Sequence, residues 1–280
     1  MSSKLILGAL SNEEASSTPN NRVTELGRLR SHIKIEIHTY EGAALFSGVK
    51  RESDQDGTDD NGQKKKFTPH NLTMLAQSMM ILEGDIRLDN PYADFWFDSI
   101  WTAVTEFREE LKTKKQSLIS YMEDRVPENF TSSESFSVKP IIYQVRSGSQ
   151  LYYQFLYAVL EIDSFIRLVM LASHVALLSP SARTTYIRDV MRGCRALISR
   201  AASYRHTPVT RDDVSANNEK ARMAAERYES IGISPSIGHM RGETRHEFAP
   251  EIHNVAERKS NPADAYIEPE IVKETAAEEA

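Results

Sequence analysis

A chain of 280 residues with 40% apolar side chains can bury a sizeable core, as one large domain or two modest ones. A net charge of −6 excludes a surface suited throughout to coating nucleic acid or anionic membrane. The single cysteine, Cys194, excludes an intrachain disulfide and a cysteine-based zinc site, which fits a reducing cytoplasm.

The charge is unevenly spread. Residues 22–51 hold six bases against three acids, residues 181–232 ten against six, and residues 251–280 three against eight, so the negative balance sits in the last thirty residues.

Residues 1–22 are small and polar and read as a flexible leader; "LILGAL" is too short for a signal segment and runs into acids. Next, "HIKIEIHT" (32–39) alternates with period two. Ile33, Ile35 and Ile37 share one face of a strand, and His32, Lys34, Glu36 and His38 share the other. Thr39 is placed to cap a short helix carrying Ala43, Ala44, Leu45 and Phe46 and ending near Gly48.

An acidic, fully polar loop over 52–66 separates that helix from the next, whose start is expected at Thr68 and Pro69. From there Leu72, Leu75, Met79, Leu82 and Ile86 form one apolar stripe. Pro91 ends this helix and opens a longer one, with its stripe from Phe97 through Ile100, Val104, Phe107, Leu111 and Leu118 to Met122.

Over 136–146, Val138, Ile141, Tyr143 and Val145 suggest a second strand, restricted by Pro140 to an edge or a bulge. Two helices follow, 149–178 and 181–203. The first is very apolar, but Glu161, Asp163 and Arg167 mark it as a buried helix and not a membrane span. Thr210 and Asp213 resemble a capping box opening a helix to about residue 229, and the region from 231 to 280 reads as a largely disordered acidic tail.

The fold class is therefore mainly α. The expected domains are the leader 1–22, a strand and two helices over 23–88, a helical body over 89–230 and the tail 231–280. The isolated strand raises the question of its partner. In a ribbon-helix-helix module it pairs antiparallel with its twin across a dimer axis and offers its polar face to the DNA major groove. Arg30 and Lys34 then donate to guanine, Glu36 accepts from cytosine, and His32 and His38 reach bases or phosphate. The helix start near residues 67–71, with His70 and Asn71, offers a phosphate site. Alternatively the strand joins 136–146 in a small sheet within the chain. Residue spacing alone leaves both open.

Other patterns are weaker. The acidic loop approximates a calcium loop but has Gln63 where a bidentate Glu is needed. "SGVK" (47–50) lacks the companion motifs of acyl enzymes, and His239, Glu243, His246 and Glu247 lack metallopeptidase spacing. No Gly-rich phosphate loop is present in the sequence, and no enzymatic activity, metal or cofactor is expected. Arg183, Arg188, Arg192, Arg195 and Arg205 form a second candidate for phosphate contact, although such arginines more often pair with acids on neighbouring helices.

Three segments, "LGRLRSHIKIEIHTYEGAALFSG" (26–48), "DNPYADFWF" (89–97) and "YRHTPVTRDDVSANNEKARMAAERY" (204–228), resemble a family of accessory proteins from integrating conjugative elements and large conjugative plasmids. Within it they are most similar to a transcriptional activator of IncA/C plasmids. The resemblance implies a cytoplasmic homodimer that binds promoter DNA through the ribbon and controls transfer genes, with the helical body engaging RNA polymerase or another regulator. The competing expectation is an adaptor of the conjugation machinery that binds no DNA.

Overall fold

In the computed structural model, the structure describes residues 33–48, 70–129, 136–145, 147–253 and 273–274. The elements in chain order are β1 (Ile33–Ile37), α1 (Tyr40–Ser47), α2 (Leu72–Arg87), α3 (Pro91–Glu123), β2 (Ile141–Val145), α4 (Gln150–His174), α5 (Pro180–Ala202), α6 (Arg211–Ser215), α7 (Glu219–Ser230), α8 (Ile237–Arg241) and β3 (Lys273–Glu274). The architecture is mainly α with a small sheet.

Helix α4 is the axis of the core. Leu151, Phe155, Leu156, Val159, Ile162, Phe165, Ile166 and Val169 cover most of its circumference and are buried, because α1, α2, α3 and α5 all pack around it. That encirclement explains its high apolar content. Among the described residues no helix is long and apolar enough to cross a membrane. The stripes of α2 and α3 face the same core: Leu72, Leu75, Met79, Leu82 and Ile86 are fully buried, as are Phe97 and Val104. Cys194, on the inner side of α5, is buried too, and desolvation pushes its thiol up to about 12.

The strand finds its partner inside the chain. β1 runs antiparallel to β2, with Ile33 opposite Val145, Ile35 opposite Tyr143 and Ile37 opposite Ile141. The sheet order is β1-β2-β3, which puts β2 in the middle and corrects its expected edge position. Pro140 is compatible with this because it lies just before the first paired residue, where no ladder donor is needed. Val138 falls outside β2 and is exposed, so the second strand is shorter than expected.

One buried carboxylate fixes the junction between β1 and α1. Asp163 Oδ1 on α4 accepts from His38 N at 3.0 Å, Thr39 N at 2.8 Å and Thr39 Oγ1 at 2.8 Å, while Oδ2 lies 3.3 Å from Arg167 Nε. Thr39 Oγ1 in turn accepts from Gly42 N as the N-cap of α1. Gly42 leaves room for this approach, since a Cβ there would sit 2.8 Å from Ile37 Cγ2 and 3.0 Å from Asp163 Oδ1.

A second set of polar contacts straps the segment after α5 onto the corner between α2 and α3. Tyr204 donates to buried Asp85 at 2.6 Å, and His206 Nδ1 lies 2.6 Å from the other oxygen of the same carboxylate. Asn90, the N-cap of α3, donates to Thr207 O at 2.7 Å, and the rings of Tyr92 and Tyr228 stack at 4.2 Å. Arg211 bonds Asp89 and the fully buried Asp94, each at 2.5 Å, and also donates to His239 O.

Three sequence expectations are corrected. Helix α2 starts at Leu72 with Asn71 as its N-cap, not at Thr68 and Pro69, which lie outside the described residues; Asn71 accepts from Met74 N. The capping box of Thr210 and Asp213 opens only the five-residue α6, because Asn217 turns the backbone to φ 47° and Asn218 caps a separate helix, α7. Residues 233–253, expected to be disordered, pack as α8 and a turn-rich segment: Arg245 Nε lies 3.0 Å from Asp94, and Phe248 stacks on Trp101.

Asp163→Ala leaves three donors and Arg167 without their carboxylate and is expected to cost about 3–5 kcal/mol of unfolding free energy, read from the urea midpoint. Tyr204→Phe removes a bond to a charged acceptor and is expected to cost about 1.5–3 kcal/mol. Burial, then the charge of Asp85, raises the Tyr204 pKa above its ordinary value of 10.0. The unfolded phenol therefore releases its proton first, and the stability contributed by Tyr204 declines as pH rises above 10. Urea titrations at rising pH are expected to show a shallower decline in Tyr204→Phe than in the parent.

Candidate nucleic-acid interface

Alternation in β1 sends Ile35 and Ile37 into the core and leaves Lys34 and Glu36 exposed. Opposite them in β2 stand Gln144 and Ile142, so these four residues share the outward face of the β1–β2 ladder. The pairing thus adds two residues that the strand's own pattern does not reveal. The signal for them is the parity of 141–145, whose buried members are Tyr143 and Val145.

The other expected residues fare differently. Arg30 and His32 lie outside the described residues. His38 turns back onto the body. Its ring packs edge-on against Phe136 at 5.2 Å, and its Nδ1 accepts from Ser137 N at 3.3 Å, with Glu36 3.9 Å from Nε2. Phe136 in turn receives the guanidinium of Arg167 over its face at 4.6 Å, which links His38 to the Asp163 network.

His70 is half-buried just ahead of α2. Asn71 is buried, its side chain spent on the cap and pressed against Gly48, where a Cβ would stand 2.7 Å from Asn71 Nδ2. The two share the N-terminal approach to α2 and are not on the outward face of the sheet ladder.

The weaker patterns are placed as follows. The acidic loop lies outside the described residues. Ser47 donates to Ala43 O and sits 3.3 Å from Tyr143 Oη. His239 is buried beside Ser236 and Asp98, while His246 packs on Trp101. Among the described residues no three His, Cys, Asp or Glu side chains are grouped as metal ligands. Of the arginines, Arg205 donates to Ala202 O and Tyr204 O and so closes the end of α5.

Comparison with known proteins adds a family to this geometry. Residues 25–253 match the family model described as "Transcriptional regulator AcaB". Comparison with curated proteins gives no match. Among solved structures, the chain is similar to one described as the crystal structure of selenomethionine-containing AcaB from uropathogenic E. coli, at 14% identity and a TM-score of 0.48, covering 77% of this chain and 97% of that one. The family match takes in β1, the helices α1 to α8 and both networks that hold them, and on it the chain belongs to the AcaB family of transcriptional regulators.

Proposed function

We propose that the chain regulates transcription by binding duplex DNA as a homodimer, with the outward face of β1 reading the major groove. The observation that carries this reading is the position of β1. Among the described residues it is an edge strand, its apolar side locked to the core through Ile35 and Ile37 and its polar side, Lys34 and Glu36, turned outward. An edge strand held this firmly is a template for antiparallel pairing with a second copy. Such a pair sets two copies of Lys34 and Glu36 about a two-fold axis, as direct readout of a pseudo-palindromic site requires.

The reading concentrates on Lys34 and Glu36, with Arg30 and His32 preceding them in sequence. Lys34 supplies a donor for guanine and Glu36 an acceptor for cytosine. His38 and Asn71 act in holding the strand and the start of α2 in place, and His70 stands next to that helix start. Activation of conjugative transfer genes in the cytoplasm, with the helical body engaging RNA polymerase or another regulator, extends the same proposal.

One observation favours a second reading. The pairing of Ile37 with Ile141 inside the chain satisfies β1 on one side without a twin, as expected of an adaptor that binds no DNA. The two readings separate in a gel-shift titration on promoter fragments. DNA binding predicts affinity that falls steeply as salt rises, and Lys34→Ala is expected to lose about 1–3 kcal/mol of specific binding with the thermal midpoint nearly unchanged. A parent protein that shifts no fragment at low salt, or a Lys34→Ala variant that binds as tightly as the parent, refutes the ribbon.

A further inference from the structure

Helix α5 carries Arg183, Arg188, Arg192, Arg195 and Arg200 against a single acid, Asp189. Arg188, Arg192 and Arg195 follow each other at intervals of four and three residues, which places them along one side of the helix, while Arg183, five residues earlier, reaches the same cavity from the helix's other flank. Together they line an open cavity of about 540 Å³, whose opposite wall includes Glu41 from the first turn of α1. All four are exposed, while Met191 and half-buried Ile187 fasten the helix beneath them.

Among the described residues, the expected pairing with acids on neighbouring helices is not seen. Asp189, on the same helix, lies 2.9 Å from Arg192 and 3.8 Å from Arg188, and no carboxylate lies within ion-pair distance of Arg183 or Arg195 among the described residues. Glu41 lines the cavity, yet its shielded Oε2 has no hydrogen-bond partner. Four guanidinium groups therefore face two carboxylates.

We infer that this face of α5 is a second DNA contact, binding the phosphate backbone irrespective of sequence; the inference rests on the DNA-binding reading above. At about 1.5 Å per residue, the row from Arg183 to Arg195 extends roughly 18 Å, a length over which one duplex strand presents about five phosphates. Guanidinium forks suit phosphate oxygens better than the point charge of lysine does. An acidic protein partner fits less well, because Met170 is the one exposed large apolar side chain among the residues lining the cavity, less than the apolar centre around which protein interfaces are built. Glu41, in the first turn of α1, lies only four residues beyond the end of β1, so the cavity that the arginines line reaches the helix that follows the strand, and phosphate contacts there can help fix the register in which the strand meets the groove.

The test compares the full-length parent with Lys34→Ala and with an Arg183→Ala/Arg195→Ala double variant, on a promoter duplex and on a scrambled duplex, across 50–200 mM salt. Both arginines are exposed, so the double variant is expected to melt with the parent. Loss of two phosphate contacts lowers the slope of log affinity against log salt by about 1.8, making the variant about twelvefold less sensitive across that salt range.

The loss is expected equally on both duplexes, whereas Lys34→Ala loses affinity on the promoter alone. An unchanged slope in the double variant overturns the inference, while the Lys34 result independently upholds or refutes the ribbon. Unchanged DNA binding with lost activation also overturns it, in favour of an acidic protein partner. If the stripe variant weakens both duplexes while Lys34→Ala weakens neither, the inference stands and the ribbon reading fails.

Discussion

The carboxylate of Asp163 is the constraint on which the N-terminal part of the fold depends. A charged group buried on α4 is costly unless saturated, and here it is saturated by the donors that end β1 and begin α1, together with Arg167. The strand therefore emerges from the body at a fixed point. Gly42 is there because the helix must come close to that carboxylate, and Phe136, between His38 and Arg167, extends the same contact set to the approach of β2. A strand that must present side chains at set positions needs this kind of backing.

The C-terminal part obeys a related rule. Segments 89–97 and 204–228, far apart in sequence, meet through Asn90 and Thr207, Tyr92 and Tyr228, and Asp94 and Arg211. Two of the three stretches that carry the family resemblance are thus opposite sides of one contact. Their length and specificity reflect the geometric demands of ion pairs to the buried Asp94 and of capped corners, which tolerate few substitutions.

Much of the helical core was legible because each stripe repeats at a period that sequence displays directly: α2 buries all the residues its spacing selects, and α3 buries most of them, with Phe107 and Met122 only partly covered. Period two likewise revealed which isoleucines of β1 face inward, but it cannot name a neighbour about a hundred residues away, so β2 remained one of two candidates. The start of α2 was misplaced because Thr68-Pro69 and Asn71 offer equally good local caps, and local chemistry does not rank them. Residues 233–253 look polar and breakable, yet they fold because Arg245, His246 and Phe248 find Asp94 and Trp101 on α3, contacts with no periodic trace. In the candidate interface, Lys34 and Glu36 could be read from alternation, whereas the inward turn of His38 and the burial of Asn71 arise from tertiary contacts.

The desolvated thiol of Cys194 has a practical corollary. With its pKa pushed up to about 12 and its sulfur inside the core, the native protein offers alkylating reagents almost no thiolate at neutral pH from the one cysteine it contains. The wild-type background is therefore chemically silent. A cysteine introduced on the polar face of β1 would be the sole labelling handle, and slow modification of Cys194 itself would time the opening of α5 away from the core.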